Sequence, residues 1–294
     1  MAQEYWKWPE TSWVSKGVER KDAGAITCGV DVGTTSTQAA VMSGGTLVGY
    51  ASIHTGTDFK GAAETALSKA LEGTGLTVAD MSAIGSTGFG KEVVSFATKK
   101  LDEVQCHAKG ARFMYGPEVR TVVDMGGQTV KAIRLFEWDR VRDFMLNDKC
   151  ATGEGRNLEV LCDLLHVGIT EIGQKSLEVE KDPEPVSTTC WAFADTETLG
   201  LFGRPEFRAE PLKEAEIYAS HIFAVAWRVM GVIGRLSTLD VGEIEIDGEL
   251  ALTGGLAKNP GITKRIEREL GVTAAKSDYD PMVAGAIGAA LLVQ

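Results

Sequence analysis

The sequence contains one unit twice, a strand-like run followed by an aspartate, a glycine turn and a second strand-like run, and this repeat constrains the possible folds most strongly. The first copy spans residues 26–42 and contains Asp31; the second spans residues 119–136 and contains Asp124. In each copy two apolar runs flank a turn of small residues, which is the pattern of a β-hairpin. The repeat predicts an α/β protein in which two aspartate-bearing turns face each other across a cleft.

Both turns have the composition of a phosphate-binding loop. Small residues let phosphate oxygens approach the backbone amides, and hydroxyl groups add further donors. The predicted contacts to the nucleotide phosphates are Gly33, Thr34, Thr35, Ser36, Gly126 and Gly127. Asp31 and Asp124 are the predicted catalytic carboxylates, which organise Mg²⁺ and water, and Gln128 is predicted to orient the attacking water. A single Asp-x-Gly turn is most often only a hairpin, so the prediction depends on the pair.

A third glycine turn follows a further strand-like run at residues 249–252. It contains Gly254, Gly255 and Asn259, and a helical stretch over residues 262–269 comes after it. We predict that these three residues contact the adenosine of bound ATP or ADP. Further helices are predicted over residues 156–165, 212–236 and 282–293.

The composition excludes several classes of partner. The 294 residues carry a formal net charge of −11 and a pI near 5.0. Binding to DNA, RNA or anionic lipid depends on Lys and Arg side chains that neutralise phosphates. The N-terminus has no apolar run of signal-peptide length. We therefore expect a cytoplasmic protein that binds neither nucleic acid nor membrane.

The five cysteines, at positions 28, 106, 150, 162 and 190, form an odd and scattered set, which argues against a disulfide framework. Cys150 lies just before a predicted helix start, where backbone amides favour a thiolate, and Cys190 follows a similar run of small polar residues. The chain has no Cys-x-x-Cys run, so a cubane cluster with four thiolates would need ligands from a second subunit. By spacing alone, such cysteines are usually unrelated buried thiols, and we predict that Cys28 and Cys162 are core residues.

Aromatic residues are concentrated before the first strand. Tyr5, Trp6, Trp8 and Trp13 lie close together beside Pro9. Both a disordered tail and an arm that anchors in the pocket of a partner fit this composition.

The three glycine turns, in this order, resemble the two phosphate motifs and the adenosine motif of the actin, chaperone-ATPase and sugar-kinase superfamily. The resemblance implies an actin-like, ribonuclease H-like α/β fold with two duplicated lobes around a nucleotide cleft. The implied interdomain connectors are residues 83–90 and 285–290, on which cleft closure would pivot. The implied division is an N-terminal extension at 1–24, lobe I at 25–118, lobe II at 119–281 and a C-terminal helix at 282–294 that packs back on lobe I.

From about residue 25 onward, the chain resembles the activator ATPases of 2-hydroxyacyl-CoA dehydratases and the ATPase subunits of benzoyl-CoA reductase. The matching segments are residues 86–90, 124–128, 147–151, 187–190 and 193–194. The resemblance implies that Cys150 and Cys190 are two ligands of a [4Fe-4S] cluster shared with a homologous ATPase subunit. It also implies ferredoxin as electron donor and acyl-CoA-reducing subunits as acceptor.

Two residues and one segment depart from the family pattern. Thr129 follows Gly-Gly-Gln where many relatives have an acidic residue, and Glu154 lies in the turn after Cys150 where small or hydroxyl residues are common. The charge of Glu154 is expected to alter the electrostatics around a cluster. The simple activators begin almost directly at the first strand, so the aromatic N-terminal segment favours the benzoyl-CoA reductase type.

The sequence therefore predicts an ATP-hydrolysing, electron-activating subunit of benzoyl-CoA reductase. Within the family, the alternative is a homodimeric activator of a 2-hydroxyacyl-CoA dehydratase. A sugar-type kinase or a non-enzymatic ATP-binding module of the same fold would contain no iron, and in the kinase both cysteines would be structural.

Overall fold

Two β-sheets organise the chain in a computed structural model that describes residues 4–15, 24–137, 140–203, 212–236 and 246–294. The first sheet contains β1 (Thr11–Val14), β2 (Ile26–Val32), β3 (Ser36–Ser43), β4 (Thr46–His54), β5 (Ala83–Thr87) and β6 (Lys99–Lys100), in the order β1-β4-β3-β2-β5-β6. The second contains β7 (Val119–Met125), β8 (Val130–Leu135), β9 (Val141–Leu146) and β10 (Glu249–Thr253), in the order β10-β7-β8-β9.

Helices cover both sheets. They are α1 (Phe59–Leu71), α2 (Glu103–Tyr115), α3 (Glu154–Leu164), α4 (Ile169–Lys175), α5 (Trp191–Gly203), α6 (Glu214–Gly234), α7 (Pro260–Leu270) and α8 (Ala284–Leu292). We call the first sheet with α1, α2 and α8 lobe I, and the second sheet with α3 to α7 lobe II. All strands of the first sheet precede residue 118, and all strands of the second sheet follow it. The exact lobe boundaries at residues 118 and 281 stay a prediction.

The two predicted hairpins are present and form the same motif in both lobes. β2 and β3 pair antiparallel with Asp31 opposite Gln38, and β7 and β8 pair antiparallel with Asp124 opposite Lys131. Every residue of β2 is buried, because helices cover both faces of this strand and leave no face for solvent. Asp31 and Asp124 are the penultimate residues of β2 and β7, and both are buried.

The helix α8 connects the lobes through very close packing. It follows β10 of lobe II and packs against β2 and α2 of lobe I. A Cβ atom on Gly29 would lie 1.9 Å from the carbonyl oxygen of Ala286, and one on Gly110 would lie 1.8 Å from that of Ala284. Only glycine permits this approach of backbone to backbone.

Three of the cysteines are core residues. Cys28, Cys106 and Cys162 are fully buried, and burial raises the pKa of each thiol to about 12. The prediction for Cys28 and Cys162 is confirmed. Cys106 contributes its backbone to the α2–α8 contact, where its carbonyl oxygen would lie 1.8 Å from a Cβ on Gly288.

The N-terminal aromatic residues pack on their own chain. β1 pairs with β4, and the Trp13 ring stacks on Tyr50 at 5.6 Å between centroids. Trp6 and Trp8 pack against the core of lobe II. The interpretation as a disordered tail is therefore wrong for residues 4–15, because the chain itself supplies the apolar surface on which these rings pack. The anchor for a partner stays a prediction.

Among the residues that the structure describes, one helix has the length and apolar composition of a membrane span. It is α6, and 72% of its most apolar window is buried inside the molecule. A buried core helix of a protein of this size passes the same test, so the helix is weak support for a membrane location.

Candidate functional site

A cavity between the lobes brings together most of the residues predicted to bind a nucleotide. Its lining includes Gly33, Thr34, Thr35, Ser36, Gly126, Gly127, Gly254 and Gly255, together with Asp31, Asp124 and Gln128. The two phosphate turns have the same local structure, because Gly33 N donates to Ser36 O at 3.0 Å and Gly126 N donates to Thr129 O at 2.9 Å. They also touch, since a Cβ on Gly127 would lie 2.4 Å from Thr35 Oγ1.

Two buried carboxylates and two basic side chains meet at the inner end of this cavity. Asp31 is 6% exposed and Asp124 is 2% exposed. His107 of α2 lies between them, with Nε2 3.7 Å from Asp31 Oδ2 and Nδ1 3.4 Å from Asp124 Oδ1. Lys131 Nζ donates to Asp124 Oδ2 at 2.9 Å and to Thr129 Oγ1 at 3.1 Å.

The surroundings give the two carboxylates different pKa values. Burial raises the pKa of Asp31 to about 6, against the opposing attraction of His107. Burial alone would also raise the pKa of Asp124, but His107 and Lys131 outweigh it and lower that pKa. Burial acts to lower the pKa of Lys131, whereas Asp124 raises it overall. At neutral pH Lys131 therefore holds Asp124 in its ionised form, whereas burial disfavours the ionised form of Asp31.

His107 and Lys131 were not among the residues predicted from the sequence. Lys131 had a detectable signal, because it is a charged residue in the apolar run of β8 and lies opposite Asp124 in the hairpin register. His107 had none, since only the packing of α2 against both lobes brings it between the aspartates.

Asn259 lies outside the lining of the cavity. It is fully buried, and its Oδ1 accepts a hydrogen bond from Ile262 N at 3.1 Å as the N-cap of α7. Asn followed by Pro is a helix-start pattern in its own right, which explains its place after the glycine turn.

The second phosphate turn is joined directly to the segment that carries Cys150. The side-chain amide of Gln128 donates to the carbonyl oxygen of Cys150. At the start of α3, Gly155 N donates to Gly126 O at 3.2 Å and Arg156 N donates to Gly127 O at 2.9 Å. The amide nitrogen of Gln128, predicted to orient water, is thus occupied by the cysteine turn.

Cys150 and Cys190 lie in turns that precede α3 and α5, and both thiols are half-buried. Neither lines the nucleotide cavity. A buried ion pair joins the two turns: Arg228 of α6 pairs with Glu154 at 2.8 Å and donates to the carbonyl oxygens of Thr188 and Thr189 at 3.1 and 3.0 Å.

Glu154 is the centre of this buried network. It is 1% exposed and also accepts hydrogen bonds from Trp191 Nε1 at 2.9 Å and Asn147 Nδ2 at 3.0 Å. The guanidinium of Arg228 lies 4.6 Å from the centroid of the Trp191 ring. Arg228 neutralises the charge that Glu154 brings beside the cysteines, and the expected effect of Glu154 on the electrostatics around a cluster stays a prediction.

The two thiols fit half of a shared iron-sulfur site. Within the described ranges, no group of three or more His, Cys, Asp or Glu side chains could hold a metal ion. A cubane cluster takes four thiolate ligands, so two thiols on turns held together by one arginine require two more from another chain. The donor chemistry and the fixed relation of the turns are both compatible with that arrangement.

Known proteins are similar to this chain in sequence. The profile of the BadF/BadG/BcrA/BcrD ATPase family matches residues 28–293. The activator of lactoyl-CoA dehydratase from Anaerotignum propionicum is 35% identical over 266 residues, 90% of this chain and 96% of that protein. A benzoyl-CoA reductase component from Thauera aromatica is 32% identical over 234 residues, 78% of this chain and 77% of that protein.

A solved structure agrees with the fold. The activator of the 2-hydroxyisocaproyl-CoA dehydratase from Clostridium difficile, with bound ADPNP, superposes with a TM-score of 0.79 at 32% identity and covers 91% of this chain and 93% of that one. The predicted actin-like ATPase fold is confirmed, and the match to an ATPase family supports ATP or ADP binding. That the cavity between the lobes is the nucleotide site stays a prediction. The chain is an ATP-hydrolysing enzyme that belongs to the BadF/BadG/BcrA/BcrD ATPase family.

Proposed function

We propose that this chain is the ATP-hydrolysing activator of a 2-hydroxyacyl-CoA dehydratase, to which it delivers electrons through a [4Fe-4S] cluster held in part by Cys150 and Cys190. The lactoyl-CoA dehydratase activator, matched over 96% of its length, supports this assignment over the benzoyl-CoA reductase role predicted first from the sequence. The aromatic N-terminal segment had favoured the reductase, and that reason no longer holds because its rings pack on their own chain.

The observation that carries the proposal is the direct connection between the second phosphate turn and the Cys150 turn. Three hydrogen bonds join them, from Gln128 to Cys150, from Gly155 to Gly126 and from Arg156 to Gly127. A phosphate that enters or leaves this turn acts on backbone atoms that also fix the Cys150 segment and the start of α3. These direct hydrogen bonds are therefore enough to couple nucleotide binding to a movement of the Cys150 turn.

The residues divide the chemistry between them. Asp31, with its pKa raised to about 6 by burial, holds Mg²⁺ through water, and Asp124 with Lys131 orders the γ-phosphate and the attacking water. A bound [4Fe-4S] cluster supplies one-electron transfer, and its potential depends on charge, hydrogen bonds and solvent exposure. Arg228 and Glu154 keep the two cysteine turns at a fixed separation. Ferredoxin is the proposed electron donor, and the site of action is the cytoplasm.

The test is native mass spectrometry and iron analysis of the anaerobically purified protein, followed by assay with a 2-hydroxyacyl-CoA dehydratase. We expect a dimer of this chain with one [4Fe-4S] cluster, and dehydratase activity that requires ATP. Iron-free protein after anaerobic purification and cluster reconstitution would refute the electron-transfer function and leave a kinase of this fold as the better explanation.

Membership of a benzoyl-CoA reductase is the second candidate, supported by the similarity to the reductase component from Thauera aromatica. It predicts a different result in the same experiment: a cluster bridging this chain and a related but different one, in a complex that also contains acyl-CoA-reducing subunits.

A further inference from the structure

Residues 4–15, which we call the strap, precede the region matched by the family profile and cross from one lobe to the other at the nucleotide cavity. We propose that the strap is part of the nucleotide-binding site and that Trp8 slows the release of bound nucleotide. The inference rests on the ATP binding of the family and not on the iron-sulfur cluster, so the two can fail independently.

The beginning of the strap is attached to lobe II. Trp8 is 9% exposed and packs into the core of lobe II, and Trp6 packs against the same core. Ile169 N donates to the carbonyl oxygen of Tyr5 at 2.9 Å, and the Tyr5 hydroxyl lies 3.0 Å from His166 Nδ1. This end of the strap therefore moves with lobe II.

The other end is attached to lobe I. The four residues of β1 pair with β4 from Thr11 opposite Ser52 onward. Glu10 accepts hydrogen bonds from Lys69 Nζ at 2.7 Å and from His54 N at 3.2 Å. Because β1 extends the lobe I sheet by backbone hydrogen bonds, this end moves with lobe I.

Between the two attachments, the strap forms part of the cavity wall. Trp8, Pro9 and Glu10 line the same cavity as the phosphate turns. A Cβ on Gly255 would lie 3.4 Å from both Cδ1 and Nε1 of the Trp8 indole, and the ammonium of Lys258 lies 5.5 Å from the centroid of that ring. Trp8 is thus beside the third glycine turn, at the end of the cavity that we assign to the adenosine.

The strap has almost no slack with which to follow an opening of the cleft. Only Pro9 and Glu10 separate Trp8 from β1, so three Cα–Cα steps join Trp8 to Thr11, and they span at most about 11 Å when fully extended. The carbonyl oxygen of Trp8 is also held at 2.9 Å from His54 Nε2 of lobe I. If the lobes separate to release a nucleotide, Trp8 must leave the lobe II core or β1 must detach from β4.

The test is the dissociation rate of a fluorescent ADP analogue with Mg²⁺, measured by stopped-flow displacement with excess ADP. We expect Trp8→Ala to increase the dissociation rate about tenfold or more, and Tyr5→Phe, which removes only a hydroxyl, to increase it about twofold to threefold. Trp8→Phe should fall between the wild type and Trp8→Ala. If Trp8→Ala fails to fold, Trp8→Phe and Tyr5→Phe provide the test.

The matched control is Trp13→Phe. Like Trp8→Phe, it replaces a strap tryptophan by phenylalanine, but Trp13 packs on Tyr50 of lobe I and does not line the cavity. The proposal predicts that Trp13→Phe changes the dissociation rate much less than Trp8→Phe, because β1 is held to β4 by backbone hydrogen bonds that the substitution keeps. A Trp8→Ala protein that is folded and releases the analogue at the wild-type rate would overturn the proposal, as would equal rates for the Trp8→Phe and Trp13→Phe proteins. An iron-free wild type with slow release would instead contradict only the electron-transfer function.

Discussion

The nucleotide cleft and the cysteine turns use buried charge in opposite ways. In the cleft, Lys131 neutralises Asp124, and Asp31 is left with a carboxylate that burial disfavours in its ionised form. At the cysteine turns, Glu154 and Arg228 neutralise each other beneath the backbone, and the thiols remain partly accessible. The cleft has a charge to be compensated by a ligand, whereas the cysteine region has its charges compensated already and uses them to hold two segments together.

The difference means that the two regions should respond differently to the same kind of substitution. Removal of the Asp31 charge from the cleft should relieve an unfavourable burial and impair binding. Removal of a charge from the cysteine region should leave its partner buried alone and impair folding. The hydrogen bonds from Gln128, Gly155 and Arg156 are the described contacts through which one region would affect the other.

The largest expected effect is the loss of iron from a Cys150→Ser protein. Serine offers a hard oxygen in place of the soft thiolate that iron-sulfur clusters prefer, so we expect most of the bound iron and of the dehydratase activation to be lost. Nucleotide affinity should be unchanged, because Cys150 does not line the cavity. The measurements are iron per chain and the dissociation constant for Mg-ADP.

The control for this substitution is Cys162→Ala, which removes a fully buried thiol from the same lobe. It should lower stability slightly and keep the iron. If both variants retained iron equally, Cys150 would not be a ligand, and the comparison between the two regions would lose its functional meaning.

The next largest effect is on folding, in an Arg228→Met protein. Methionine leaves Glu154 ionised and buried without its partner, and such a loss typically lowers the free energy of unfolding by about 3–5 kcal/mol. The double variant Arg228→Met, Glu154→Gln should recover part of this loss, because the remaining side chain is uncharged. Urea unfolding of the apoprotein measures both effects independently of any cluster.

Arg235→Met provides the comparison on the same segment of chain. Arg235 follows α6 and pairs at 3.5 Å with Asp148, which is almost fully exposed, so its removal should cost less than about 1 kcal/mol. Equal destabilisation by the two Arg→Met substitutions would mean that the Glu154–Arg228 pair is no more important than a surface ion pair.

Local patterns in the sequence were sufficient to predict the backbone framework of the cavity between the lobes. The two hairpins, their aspartates and the third glycine turn each depend on residues that are close together along the chain. Asn259 was assigned to the adenosine for the same reason, although its Asn-Pro pattern equally indicates the helix cap that the structure contains. Short-range signals identify a turn well and identify its ligand less well.

The features that depend on long-range packing could not be predicted. Arg228 reaches Glu154 across 74 residues of sequence, and no local pattern indicates that a departure from the family composition has a partner. Trp8 and His107 likewise reach the cleft from segments whose own sequences favour other interpretations. These residues account for much of the charge around the two regions and for one wall of the cavity. The backbone framework could therefore be predicted from the sequence, whereas the partners of its charged side chains could not.

A smaller and opposite effect on stability is expected in the cleft, from Asp31→Asn. The rise in the pKa of Asp31 from 3.8 to about 6 corresponds to about 3 kcal/mol of unfavourable burial at neutral pH. The Asn variant of the apoprotein should therefore be more stable by up to that amount, while its Mg-dependent ATP hydrolysis is largely lost. Asp124→Asn is the matched variant and should be less stable than the wild type, because buried Lys131 then keeps only the longer, 3.8 Å pair with Glu103. Destabilisation by both substitutions would contradict the difference we describe between the two carboxylates.

The smallest effect is the pH dependence of Mg-ADP affinity. An Asp31 with a pKa of about 6 must lose its proton before it can hold the water shell of Mg²⁺. Affinity should be constant well above pH 6 and fall by up to about tenfold for each pH unit below it. The nucleotide phosphates also gain protons in this range, and the Asp31→Asn protein retains that contribution alone. The wild-type affinity should therefore fall more steeply with decreasing pH than that of the variant, as isothermal titration calorimetry at several pH values would measure. Parallel pH profiles would mean that Asp31 is not the carboxylate that receives the cation.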